Sequence, residues 1–158
     1  EPQFYRYPSA LTRTTWTTRM TDASTPRARV RIVLSHPSHP GNIGATARAM
    51  KTMGLGELHL VNPKRFPDAE ATALASGADD VLAAARVHAT LDAALAGTTL
   101  AYAVTARRRD LSHPARDVRE AAAEATISGG AVAFVFGTEM SGLSNDEVIR
   151  CNRLAHIP

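Results

Sequence analysis

Short apolar runs alternate with segments of helical period along the chain from residue 30 onward. Residues 30–35 and 131–136 are mostly or entirely apolar, which is typical of strands buried on both faces. The alternation predicts an α/β fold with a mostly parallel sheet and helices on both faces. The other predicted strands are 58–61, 86–88, 100–105 and one from 155 onward. The predicted helices are 42–54, 68–75, 79–85, 91–96, 118–125 and one opened by a Ser144–Glu147 capping box.

The first predicted helix, residues 42–54, combines an apolar stripe with a polar face. We expect Asn42 to cap its N-terminus and Gly54 to cap its C-terminus. The free backbone N–H groups at such a helix start suit a phosphate, although a capped helix with a solvated arginine fits the pattern equally well. Helical spacing places three residues on one face beside the stripe: Gly44, Arg48 and Lys51.

The first 29 residues differ from the rest of the chain in composition and charge. They are rich in Thr, Arg, Pro and Ser and have no regular period, so we expect an irregular extension followed by one domain at 30–158. The net charge is +3, but residues 1–31 hold six arginines, which leaves 12 of the 18 basic and 13 of the 15 acidic residues for the remainder. Bulk charge therefore says little about a nucleic-acid partner. The run 107–109 of three arginines is either a local phosphate contact or a solvated loop.

Unusual polar residues are concentrated in three loops that follow predicted strands. Ligands of parallel sheets bind at the carboxyl ends of the strands, so loops 36–42, 105–113 and 137–143 form the expected site. Glu139 lies in the last of these loops, between glycines that allow close approach of a ligand. Its carboxylate can face a cationic ligand such as a sulfonium, or it can pair with nearby arginines.

Several other classes of site do not fit the sequence. His36 and His39 are each followed by proline and have no carboxylate or thiol neighbour in sequence, so we expect no metal. The residues around Ser141 do not match the nucleophile elbow of hydrolases, and the glycine fingerprint of dinucleotide-binding enzymes is absent. Cys151 falls inside a predicted helix and is interpreted as a packed residue. A single cysteine, no signal-peptide pattern and no long apolar run favour a cytoplasmic protein without a membrane segment.

Four motifs, in this order, resemble the SpoU branch of the SPOUT methyltransferases. They are Asn-Ile-Gly-Ala-x-Ala-Arg-Ala-Met-x-x-Met-Gly at 42–54, Leu-His-Leu-Val-Asn-Pro at 58–63, Ala-x-Gly-Ala-x-Asp at 75–80 and Phe-Gly-x-Glu-x-x-Gly-Leu at 136–143. Within the branch, Thr105-Ala-Arg and Cys151-Asn point to the TrmJ group that modifies tRNA. Several motifs in one order are more specific than any single motif, and together they cover residues 30–158.

The resemblance implies a methyl transfer from S-adenosylmethionine to a ribose 2'-hydroxyl of tRNA, at a cytidine or uridine of the anticodon loop. It also implies a deep trefoil knot near the C-terminus, a cofactor held by the knotted loops, and a homodimer. Three alternatives stay open from the sequence: a 2'-O-methyltransferase of ribosomal RNA, a non-catalytic RNA-binding module of the same fold, and a dinucleotide-binding oxidoreductase of similar layout.

The same resemblance assigns residue roles. Arg48 matches the arginine of the first motif and would be the main catalytic residue, supported by Asn42 and Glu139. Because a guanidinium essentially never loses its proton, we expect Arg48 to grip an RNA phosphate and orient the hydroxyl. Arg107 and Arg109 are further expected RNA contacts. The expected cofactor contacts are Thr105, Ala106, Gly137, Glu139, Leu143 and Ile157.

The sequence departs from the family pattern at its C-terminal end. A third motif, a Ser-Leu-Asn stretch that opens the last helix, should follow His156-Ile-Pro158 and is absent. A sheet that ended there would leave apolar surface exposed, so we expect the natural protein to continue and the knot to be incomplete in this chain.

Overall fold

The computed structural model describes residues 26–106 and 114–157. A short 3₁₀ helix, Pro26–Arg29, precedes the first strand. The strands are β1 (Val30–Ser35), β2 (Glu57–Val61), β3 (Arg86–His88), β4 (Thr98–Val104), β5 (Ala115–Asp117), β6 (Ala131–Phe136) and β7 (Arg153–His156). The helices are α1 (Pro40–Met53), α2 (Ala69–Ala75), α3 (Asp79–Ala83), α4 (Leu91–Leu95), α5 (Val118–Ile127) and α6 (Asn145–Ile149).

The strands form one sheet in which each pair of neighbours is parallel, in the order β3-β2-β1-β6-β4-β7-β5. In the middle of the sheet, Ile32 of β1 lies opposite Leu58 of β2 on one side and Phe134 of β6 on the other. The predicted fold class is confirmed. Because the strands are parallel, the loops that follow them gather at one edge, where this architecture binds ligands.

Helices cover both faces of the sheet, as expected for buried parallel strands. Ile32 and Leu34 of β1 pack with α1, α2 and α3, whereas Val33 packs with α4 and α6 on the opposite face. Helix α5 shares the first face and packs Ala121 and Ala125 against β4 and β6. Within the described residues, no helix is long and apolar enough to cross a membrane.

Helix α1 begins two residues before the sequence predicts. His39 is the N-cap residue and gives no side-chain cap, while Pro40 starts the helix, where its missing N–H costs nothing. The prediction that Asn42 caps the helix is therefore wrong, and its side chain is available for another contact. The predicted end is confirmed: Gly54 has φ 73° and donates its N–H to the carbonyls of Lys51 and Met50.

Gly44, which the sequence places on one helical face with Arg48 and Lys51, lies at a contact between helices. A Cβ atom at Gly44 would lie 2.1 Å from the carbonyl oxygen of Ala71 in α2. Only glycine lets the two helices approach this closely. The crossing of α1 and α2 is thus fixed by a residue of the first family motif.

Two local predictions near the C-terminal half are wrong. Strand β5 was not predicted, because two of the three residues of Ala115–Asp117 are charged and edge pairing with β7 alone maintains it. Helix α6 ends at Ile149, so Cys151 lies after it and not within it. Cys151 is nevertheless buried as a packed residue, and burial, helped by Glu147, raises the pKa of its thiol to about 12.

Candidate active site

The carboxylate of Glu139 joins the loop after β6 to the start of α1. It accepts hydrogen bonds from the backbone N–H of Ser38 at 3.1 and 3.2 Å and from the Ser38 hydroxyl at 2.6 Å. The backbone N–H of His39 and the side-chain amide of Asn42 also donate to it, each at 3.2 Å. Two residues assigned to the site from the family motifs, Asn42 and Glu139, are therefore in direct contact although 97 positions separate them.

This arrangement has an electrostatic consequence. Burial acts against ionisation of Glu139, but the hydrogen bonds from Ser38 and Asn42 outweigh it and lower the pKa of the carboxyl to about 2. Glu139 is therefore anionic at any physiological pH. Its charge lies at the positive end of the α1 dipole, so the protein's own carboxylate stands where the sequence suggested a phosphate.

The loop from Gly137 to Leu143 is a hydrogen-bonded hairpin. Thr138 and Gly142 exchange backbone hydrogen bonds of 3.2 and 2.9 Å, and the hydroxyls of Thr138 and Ser141 lie 2.7 Å apart. A Cβ atom at Gly137 would lie 2.1 Å from the carbonyl carbon of Gly142. Glycine is required at this strand end because the hairpin folds back onto it, and Leu143 is buried beneath.

The residues nominated for the cofactor lie at the ends of three neighbouring strands. Strands β6, β4 and β7 are adjacent in the sheet, and Gly137, Thr105 and Ile157 follow them. The N–H of Thr105 donates to the carbonyl of Ala155 at 2.9 Å, which extends the β4–β7 pairing past the strand end. Thr105 is half-buried, whereas Ala106 is exposed and Ile157 is 60% exposed. The six nominated residues thus occupy two loops and one strand end along a single edge.

Arg48 stands apart from this network. It is exposed in the middle of α1, and among the described residues its guanidinium makes no hydrogen bond or ion pair. Lys51, its neighbour on the same helical face, pairs instead with Asp80 at 2.7 Å. The structure does not bring Arg48 to Glu139 within one chain. Arg107 and Arg109 lie outside the described residues.

A second polar cluster, at the end of β1, was missed by the sequence reasoning. The Ser35 hydroxyl donates to Glu147, and the Nδ1 atom of His36 lies 3.0 Å from the Ser35 hydroxyl and 3.6 Å from Glu147. His36 has φ 52°, a conformation that few residues other than glycine adopt. Ser35, the polar residue that ends an otherwise mostly apolar strand, was the one sequence signal for this cluster. Glu147 was not considered as its partner because the sequence already assigned Glu147 to the capping box with Ser144.

The cluster borders an open cavity of about 600 Å³. Gly142 and Leu143 line it, so the loop that carries Glu139 forms part of the cavity wall. The polar residues that line it are His36, Thr138, Ser141, Ser144, Asn145 and Glu147.

Comparison with known proteins agrees with this geometry. Residues 29–158 match the SpoU rRNA Methylase family. The chain belongs to this family. It is 50% identical over 133 residues to the tRNA (cytidine/uridine/adenosine-2'-O-)-methyltransferase TrmJ of Pseudomonas aeruginosa, which is 82% of this chain and 52% of that protein.

Two solved structures are similar to this chain in both sequence and fold. A probable methyltransferase from Bordetella pertussis is 53% identical with a TM-score of 0.75, over 82% of this chain and 81% of that one. TrmJ from Z. mobilis is 38% identical with a TM-score of 0.79, over 81% of this chain and 58% of that one. The SpoU chain described here spans about half the length of the curated relatives it matches.

Proposed function

We propose that this SpoU methylase is the catalytic part of an enzyme that transfers a methyl group from S-adenosylmethionine to a ribose 2'-hydroxyl of tRNA. The relative from Pseudomonas aeruginosa, half identical in sequence, is named for 2'-O-methylation of tRNA nucleosides. The structural observation that carries the proposal is the contact between Asn42 and Glu139. It joins the two motifs at the edge of the sheet where the residues proposed for the cofactor lie.

The residues present fit S-adenosylmethionine. Strand ends β6, β4 and β7 offer backbone groups beside partly exposed apolar side chains, which suits an adenine ring. Thr105, Gly137 and Ile157 would hold the cofactor, with Ala106 and Leu143 beside them. When bound, the cofactor supplies the electrophilic methyl group. Glu139 is anionic and belongs to the same loop, so it adds negative potential near a sulfonium.

Arg48 is proposed to bind the RNA phosphate next to the target ribose. A planar guanidinium forms two parallel hydrogen bonds to a phosphate and keeps its proton, so it fixes the position of the 2'-hydroxyl and does not act as a base. A phosphate oxygen or a water molecule then accepts the hydroxyl proton. Methyl transfer needs in-line alignment, and this clamp would supply much of the rate.

The family resemblance also leads us to propose a homodimer in the cytoplasm. Within one chain Arg48 is exposed in mid-helix and makes no contact with Glu139. A second copy that covers α1 would bring an arginine to the cofactor edge.

Transfer of a tritiated methyl group tests the activity. The full-length gene product should label bulk tRNA and should not label ribosomal RNA, and mapping of 2'-O-methyl positions should place the product at a cytidine or uridine of the anticodon loop. Labelling of ribosomal RNA alone would favour the alternative substrate. Binding of tRNA with no transfer would favour the non-catalytic module.

A further inference from the structure

The cavity beside the Glu139 loop shares Leu143 with the residues proposed for the cofactor and is otherwise lined by different residues. It opens at the ends of β1 and β6, whereas Thr105 and Ile157 lie at the ends of β4 and β7. At about 600 Å³ it lies within the range of about 300–1,000 Å³ typical of small-molecule sites. Among the described residues, the hairpin from Gly137 to Leu143 borders both regions. A ligand in this cavity would therefore lie next to the cofactor edge without sharing its residues at β4 and β7.

The lining indicates which chemistry the cavity accepts. Hydroxyls, an amide and an imidazole line it, and no lysine or arginine is among the described residues that do so. Its one carboxylate, Glu147, is held by the Ser35 hydroxyl and by the backbone N–H of Ser144 at 2.7 Å. Burial opposes ionisation of Glu147, but these hydrogen bonds outweigh it and lower its carboxyl pKa. A permanent negative charge at the wall disfavours a phosphate and admits a neutral ligand with hydrogen-bonding groups.

The side chains of Ser141 and His36 are positioned to form hydrogen bonds with such a ligand. The Ser141 hydroxyl is exposed and fixed by Thr138 at 2.7 Å, and the backbone N–H of Ser141 donates to the same Thr138 oxygen at 3.2 Å. The ring of His36 is about half exposed, and Ser35 engages its Nδ1 atom at 3.0 Å. Among the described residues, the hydrogen bond of the His36 ring uses Nδ1, which leaves Nε2 for a ligand.

We propose that this cavity receives the neutral nucleoside portion of the target nucleotide, its base and ribose, with Ser141 and His36 as binding residues. The assignment rests on the proposed RNA methyltransferase function and adds the site of its acceptor. The flanking phosphates would stay outside the cavity, which has no described cationic side chain in its lining. Base and sugar need hydrogen-bond donors and acceptors but no cationic partner, and the described lining offers hydroxyls, an amide and an imidazole without a lysine or arginine.

Filling the cavity tests the proposal. In the full-length enzyme, Ser141→Trp places a large side chain at the lining, and Ala123→Trp, on the exposed face of α5 outside the cavity, is the control. We expect the KM for tRNA to rise at least about tenfold in Ser141→Trp, because the nucleoside loses its place and its hydrogen bonds. The dissociation constant for S-adenosylmethionine, from calorimetry, should stay within about twofold of the wild type, as should both constants in Ala123→Trp.

A second, smaller substitution tests the same site in case Ser141→Trp does not fold. His36→Asn removes the ring, and asparagine adopts the left-handed backbone at φ 52° more readily than most residues. It should raise the KM for tRNA several-fold while the melting temperature and cofactor affinity are unchanged.

The outcomes distinguish failure of the nucleoside site from failure of the proposed function. A lower cofactor affinity in both variants would make the cavity a cofactor subsite and overturn the proposal, as would an unchanged KM for tRNA in both. If the wild-type enzyme transfers no methyl group to any RNA, the proposed function itself has failed. An active wild type with unaffected variants disproves the nucleoside site alone.

Discussion

The two charged side chains assigned to catalysis, Glu139 and Arg48, occupy opposite environments. Glu139 is held by donors from Ser38, His39 and Asn42, and its pKa is lowered to about 2. Arg48 is exposed on α1 and, among the described residues, its guanidinium has no partner. The fold therefore satisfies the anion internally and leaves the cation to an external ligand.

This difference suggests a division of roles. A carboxylate with its hydrogen bonds already made is a structural anchor, which keeps the start of α1 and the loop after β6 at a fixed separation. A guanidinium on a helix fixed by that anchor is positioned without being engaged. Arg48 should thus matter for catalysis and little for stability, whereas Gly137 and Glu139 should matter for both.

The largest effect is expected from Arg48→Lys. Lysine keeps the charge but loses the planar pair of donors, so transfer to tRNA should fall about 100-fold or more through misplacement of the ribose. The melting temperature and the affinity for S-adenosylmethionine should not change, because the Arg48 guanidinium contacts neither the described core nor the residues proposed for the cofactor. Single-turnover rates, thermal denaturation and calorimetry measure the three quantities.

Arg86→Lys provides the control for this substitution. Arg86 is exposed on the edge strand β3, and within the described part of the chain its one ion pair is a loose contact with Glu57 at 3.8 Å. Its variant should be fully active. A rate close to wild type in Arg48→Lys would rule out the bidentate clamp and leave Arg48 a simple solvated residue.

Gly137, which follows β6, tests whether the loop that carries Glu139 must keep its shape. In Gly137→Ala the new methyl group would lie 2.1 Å from Gly142, and it can be accommodated only if the hairpin moves. We expect a loss of about 1–3 kcal/mol in the free energy of unfolding and a marked loss of cofactor affinity. Thermal denaturation and calorimetry give both values.

Gly129→Ala is the matched control, because a Cβ atom at Gly129 meets nothing within 4 Å. It should leave the cofactor affinity as it is. If Gly137→Ala bound the cofactor normally despite a shifted hairpin, the loop after β6 would have to be removed from the proposed cofactor site.

The sequence was sufficient for the sheet and for the loops of the site, and insufficient for the contacts between them. Strand β6 and the capping box at Ser144 were predictable because apolar runs and capping residues are local signals. The role of Glu139 was not, because its partners at Ser38 and Asn42 are about 100 residues away and no periodicity encodes that contact. The same holds for Gly44, whose need for glycine comes from α2.

The smallest expected effect is that of Glu139→Gln, and it separates an anchor from a catalytic group. The amide keeps the shape but weakens the hydrogen bonds from Ser38 and His39, and because Glu139 is exposed the loss of unfolding free energy should be only about 1 kcal/mol.

The pKa of the Glu139 carboxyl is lowered in the folded state. The contribution of the carboxylate to stability is therefore complete above the ordinary pKa of 4.5 and is lost as the pH falls towards about 2. The stability difference between wild type and variant should therefore be constant from neutral pH to about 5 and should shrink below 4.5, as denaturant titrations at a series of pH values can measure. Asp146→Asn changes an exposed carboxylate that makes no hydrogen bond or ion pair among the described residues, and it should show no such pH dependence. If Glu139→Gln instead abolished transfer to tRNA while stability stayed at the wild-type level, the carboxylate would act in the chemistry itself and the division between anchor and clamp would be wrong.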